Sequence, residues 1–207
     1  PKRGDDPFAT ESDSSTICSL NLLKSLNTDD SSFANTFKYV ADKIIDELQK
    51  QRETGIRRID AYFIPVMFLY RHCLELKLKH LIRLCVKLDL IEKKDKLSDT
   101  LYKHELYSLW NHVKLGLQKY WPEGPTDDLK AVERVIQQFH ELDNNGQSLR
   151  YAEDKNGDKT VNHFPERVDF IKIKKIFDGS FSLLDGCCGV FKDDIDAMSQ
   201  YNAGFSE

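Results

Sequence analysis

Apolar residues recur at helical spacing along most of the chain. In "DDSSFANTFKYVADKIIDELQKQ", Phe37, Val40, Ile44, Ile45 and Leu48 fall three or four residues apart behind Asp and Ser residues suited to capping, which predicts a first helix over about 34–52. "RETGIRRID" breaks the pattern, and "AYFIPVMFLYRHCLELKLKHLIRLCVKL" predicts a long second helix with Pro65 in its first turn or at a kink. This segment is apolar around most of its circumference, as a central helix must be. "HELYSLWNHVKLGLQKYW" places Leu106, Leu109, Trp110, Val113 and Leu117 on one side of a third helix, and "PEGP" ends it. In "TDDLKAVERVIQQFHELD" the polar start Thr126, Asp127 and Asp128 precedes a stripe of Leu129, Val132, Val135, Ile136 and Phe139, a fourth helix.

Two stretches lack this period. "IEKKDKLSD" reads as a solvated connection, and "NNGQSLRYAEDKNGDKTVNHF" has an Asn-Gly pair between short strand-like runs, which predicts a hairpin. Helical spacing returns through Phe170, Ile173, Ile176, Phe177, Phe181 and Leu184. The expected fold is all-α, a bundle of four to five long helices with a small β-hairpin insertion before the last helix. Its expected parts are a flexible polar N-terminal arm over 1–33, a helical domain over 34–197 and a C-terminal tail over 198–207. Within the arm, "ICSLNLLKSL" reads as a short docking helix.

Composition narrows the class. The chain has 207 residues, 40% hydrophobic and 31% charged, enough for one domain with a sizeable core. No apolar run approaches the roughly 18 to 20 residues that cross a bilayer, so no membrane span is expected. A net charge of -4 supplies no strong overall field for nucleic acid, although a local basic face fits within that total. Five cysteines, Cys18, Cys73, Cys85, Cys187 and Cys188, are an odd number set mostly among apolar residues, which suits a reducing cytoplasm. The Cys187-Cys188 pair has no CxxC or CxH companion and no HExxH spacing links the histidines, so neither a metal nor a cofactor is expected. The chain opens at Pro1 without a leader-like pattern, as expected of a fragment or a renumbered chain.

Candidate chemistry concentrates in the second helix. Glu75 lies four residues from Arg71 and three from His72, so one carboxylate reaches both from one helical face. A structural reading has Arg71 and Glu75 satisfying each other inside an apolar helix, with His72 bonded to a neighbour. A catalytic reading has His72 as general acid or base, Arg71 stabilising phosphate charge and Glu75 orienting both, cleaving RNA through its 2′-hydroxyl without metal. Arg134 and His140 form a secondary pair, although residues six apart stand about 120° around a helix axis. Lys79, His104, Arg150 and Tyr151 are candidate ligand-binding residues, Arg150 and Tyr151 lying at the base of the hairpin. Lys77, Lys79, His80 and Arg83 make either a basic path or a solvated stripe, and His80 and His112 read as solvent-facing.

"YRHCLELKLKHLI", "HELYSLW" and "SLRYAEDKNG", in that order, resemble a bacterial, defence-associated branch of the HEPN superfamily (higher eukaryotes and prokaryotes nucleotide-binding). Its members often read R-H-x-x-E-x-x-L-K, H-x-L-x-x-L-W and F-R-Y-P, and the similarity spans about 35–195. The resemblance implies a bundle of four or five helices, RNA or a nucleotide as ligand, and a homodimer or a subunit of a larger antiviral or toxin-antitoxin complex. Many members are metal-independent ribonucleases with an Arg four to six residues from a His. Arg71-His72 matches the start of that motif, while the place of the second His holds Leu76, Lys77 or Leu78, and "RYAE" stands for Arg-Tyr-Pro. The resemblance also allows a non-catalytic module that senses a ligand or scaffolds a larger defence complex.

Overall fold

A computed structural model describes residues 29–53, 59–92, 95–124, 126–144, 146–153 and 156–204, so the expected arm lies outside them up to residue 28. Among these residues six α-helices follow one another: α1 (Asp30–Glu53), α2 (Phe63–Lys87), α3 (Asp95–Tyr102), α4 (Leu106–Tyr120), α5 (Thr126–Leu142) and α6 (Phe170–Ala203). α1 starts four residues earlier than its apolar stripe suggests, because Asp29 caps it, its carboxylate accepting from the Ser32 backbone N–H at 2.9 Å. Asp169 caps α6 in the same way, accepting from Ile171 and Lys172. Pro65 sits in the first turn of α2, where a missing N–H costs nothing. α2 ends in a turn in which Leu90 donates back to the Cys85 carbonyl at 2.9 Å, with Asp89 in the left-handed region at φ 53°.

α2 is the axis of the bundle. Of its 25 residues 16 are buried, and α1, α4 and α6 all pack on it. Tyr70, Leu74, Leu78, Leu81 and Ile82 meet Ala41 and Ile45 of α1, Leu109, Trp110 and Val113 of α4, and Phe177, Phe181 and Leu184 of α6 in one continuous core. Each such large side chain stabilises the fold by about 1.5–3 kcal/mol on burial. α4 lies close to α2 because position 116 is glycine: a β-carbon there would overlap the Cys85 sulfur. Cys188 is buried and Cys187 half-buried, both as thiols.

The structure corrects two expectations. No β-strand exists among the described residues, so there is no hairpin insertion, and the region holds a single antiparallel bridge between Glu153 and Lys159. The Asn156-Gly157 turn does form, with Gly157 at φ +84°, but the described residues on either side, 151–153 and 158–163, are exposed apart from Thr160 and offer no buried face to hold a ladder. The chain instead coils into 3-10 turns at Ser148–Arg150 and Thr160–His163, joined by the Thr160 hydroxyl, which lies 3.0 Å from the Ser148 carbonyl oxygen and 2.7 Å from that of Tyr151. The second correction is α3, inside the lysine-rich connection, which buries Leu97 against the core. Among the described residues no helix is long and apolar enough to cross a membrane.

Candidate functional site

The first half of α2 carries Arg71 into the interior, where the side chain is 3% exposed. All three guanidinium nitrogens donate there. Nε gives a hydrogen bond to the Asp143 carbonyl oxygen at 2.9 Å, Nη1 to Glu75 Oε2 at 3.1 Å, and Nη2 to the His104 carbonyl oxygen at 2.5 Å. The Asp143 carboxylate also lies beside the cation, Oδ2 being 3.2 Å from Nε, while its Oδ1 accepts from the backbone N–H groups of Gln147 and Ser148. Arg71 therefore ties α2 to the entry of α4 and to the loop that leaves α5.

Glu75 completes the knot. Its Oε1 accepts from Lys79 Nζ at 2.8 Å and lies 2.7 Å from His104 Nδ1. Burial alone would raise the Glu75 pKa, but the bonds and charges of Lys79 and His104 outweigh it and hold the carboxyl below its usual range. Two cations, Arg71 and Lys79, thus face two carboxylates, Glu75 and Asp143, a balance that lets four ionic groups share an apolar helix. Gly146, at φ +73°, lies against the guanidinium: a β-carbon there would come 2.9 Å from His104 Cβ and 3.2 Å from Arg71 Nη1.

His72 leaves this network. Its ring is half-buried between Phe37, edge-on at 4.8 Å, and Phe68, parallel at 6.0 Å. Burial, then the positive charges of Arg150, Arg71 and Lys79, push its pKa below the ordinary imidazole value against an opposing pull from Glu75, favouring the neutral ring. Arg150 stands over the other aromatic, its guanidinium carbon 5.7 Å from the Phe68 ring centroid, and Tyr151 is 61% exposed. The ligand-binding candidates thus divide: Lys79 and His104 belong to the Arg71 knot, Arg150 and Tyr151 to the surface. Arg134 is exposed on α5, whereas His140 rests near Tyr107 at 6.1 Å with a buried Nδ1, so the structure draws no contact between them.

The structure corrects the reading of Lys77 and His80 as a solvated stripe or basic path, and adds Asp143, which the sequence reading did not single out. Lys77 is fully buried, donating to Ser31 Oγ at 2.7 Å, Asn35 Oδ1 at 3.0 Å and Asp185 Oδ1 at 2.6 Å, with the Phe181 ring 4.7 Å away. His80 is also buried, its Nε2 3.6 Å from Asp29 Oδ2. Position 77 is flanked by Leu74, Leu78 and Leu81 of the core stripe, a signal that it faced inward; its partners come from α1 and α6 and leave no local trace. Asp143 had a clearer signal, since an acid followed by Asn-Asn-Gly is the chemistry of a side-chain-closed turn. Among the described residues no three His, Cys, Asp or Glu side chains stand together so as to hold a metal ion. Compared with protein-family models, with curated proteins and with solved structures, the chain matches none.

Proposed function

We propose that the chain is a non-catalytic HEPN-like helical module of a bacterial defence system, one that senses a ligand or scaffolds a larger complex. The observation that carries this reading is the engagement of Arg71: each of its nitrogens already donates inside the bundle. Stabilising a phosphate in a transition state needs a donor aimed at the place where charge develops. Withdrawing Arg71 to serve there would leave the buried carboxylates of Glu75 and Asp143 with one fewer cation, at a cost of several kcal/mol. His72, held between two aromatic rings, is then without Arg71, the cation that the catalytic reading assigned to the phosphate. RNA or a nucleotide is the ligand class, and a homodimer or defence complex the assembly, that the resemblance implies.

Incubation of the purified chain with mixed RNA in chelator tests the reading. The RNA is expected to stay intact, and Arg71→Lys is expected to lower the melting temperature. RNA cut by the unaltered chain, and spared by an Arg71→Lys variant that melts normally, would overturn it.

A further inference from the structure

A groove of about 700 Å³ opens between the start of α2 and the coiled segment that follows α5. Its apolar lining comes from Ile64, Pro65 and Phe68 on α2 and from Leu149 and Val161 opposite. Two cations, Arg150 and Lys159, border it with a single acid, Glu153. The size falls within the range of small-molecule sites, about 300–1,000 Å³, and an apolar lining with few polar groups is their usual chemistry.

Arg150 is the feature that points to a ligand. Among the described residues its guanidinium has no ion pair or hydrogen bond, and it is held against the face of Phe68. A guanidinium resting on a ring keeps its N–H donors at the edge, where they meet a carboxylate or phosphate in bidentate fashion. The rest of the lining offers few partners for a polar body. The one buried hydroxyl, that of Thr160, is already directed at the Ser148 and Tyr151 carbonyl oxygens. A nucleobase laid on this floor would leave several donors and acceptors unpaired, which is costly, whereas an alkyl chain would not.

We infer that this groove binds a small amphiphilic anion, its apolar body on Ile64, Pro65, Phe68 and Leu149 and its carboxylate or phosphate on Arg150, with Lys159 adding positive charge. The inference rests on the ligand-sensing half of the reading above and departs from it on the ligand, putting an amphiphilic anion in place of RNA or a nucleotide at this groove.

Calorimetric titration of the full chain with decanoate, decyl phosphate, decanol and adenosine monophosphate tests it, each amphiphile kept below its micelle threshold. At least one of the two anionic amphiphiles is expected to bind one to one, the tighter headgroup identifying the source, with decanol about tenfold weaker or more. Arg150→Ala is expected to lose about tenfold in affinity with an unchanged melting temperature. Val161→Trp, which fills the groove, is expected to abolish binding. Decanol binding as tightly as decanoate, binding indifferent to Arg150→Ala, adenosine monophosphate binding in place of the amphiphiles, or no binding at all would each overturn the inference. If the amphiphiles fail while RNA stays intact in chelator, the groove assignment falls and the non-catalytic reading stands. Arg71-dependent cutting of RNA would topple that reading without touching a measured amphiphile affinity.

Discussion

Arg71 donates from all three guanidinium nitrogens inside the bundle, whereas Arg150, on the surface, has the face of Phe68 as its described partner. The two side chains are chemically identical, and their surroundings assign them opposite work. Arg71 is surrounded by acceptors, of which Glu75 is shared with Lys79 and His104, so it acts as a strut between α2, the start of α4 and the loop after α5. Arg150 makes no ion pair or hydrogen bond among the described residues, and its N–H donors stay open at the edge of the Phe68 ring. The difference teaches where to look for binding: a charged residue on a central helix is a weaker candidate than one parked on an aromatic ring at the rim of a groove.

Stability measurements are the strongest way to break this comparison. Arg71→Ala leaves buried carboxylates short of a cation and is expected to cost about 3–5 kcal/mol in urea denaturation. Arg150→Ala removes an exposed side chain and is expected to stay within about 0.5 kcal/mol of the unaltered protein. Equal losses from the two would show that Arg150 is also a strut, or that the knot around Arg71 is loose.

The loop over Arg71 gives a sharper and smaller test. Gly146→Ala is expected to cost about 1–2 kcal/mol for its left-handed backbone alone, and more because the new methyl meets His104 and the guanidinium. Gly157→Ala provides the control, with φ +84° and nothing within 4 Å of the added carbon, so it carries the backbone cost without the clash. The excess of the first over the second, read from the same denaturation curves, measures how tightly the loop closes on Arg71.

Much of this architecture was legible in the sequence, and the failures have a common cause. The α2 stripe, the Asp and Ser residues at the start of α1 and the acidic first turn of α5 follow from local spacing, and local spacing is what a sequence displays. The i, i+4 relation of Arg71 and Glu75 was likewise visible, because both residues ride on one helix. Asp143, 72 residues from Arg71, and Asp185, 108 residues from Lys77, reach those cations only through the tertiary fold. The false hairpin came from the turn: Asn156-Gly157 is suited to a hairpin, but turn chemistry cannot supply the buried face that a ladder needs, and Thr160 found carbonyl oxygens instead. α3 was hidden because its contact rests on two residues, buried Leu97 and half-buried Leu101, amid charged neighbours.

His72 feels both arginines, which makes it the finest probe of the contrast. Burial is the largest influence lowering its pKa, and Arg150, Arg71 and Lys79 add to it in that order while Glu75 opposes. The folded pKa therefore lies below that of the unfolded chain, about 6.5. The unfolded chain binds the proton more readily, so the contribution of neutral His72 to stability is fully present above about pH 6.5 and is lost as pH falls from there through the folded pKa. His80, depressed chiefly by burial, acts with the same sign, so a bulk unfolding curve cannot separate the two and the His72 ring must be titrated by NMR. In Arg150→Ala its pKa is expected to rise yet remain below that of a free imidazole, because burial persists. In Arg150→Lys, where a charge stays in place, the rise should be smaller. A His72 pKa indifferent to Arg150→Ala would mean that the surface cation does not reach the ring, and the two arginines would then have no residue in common.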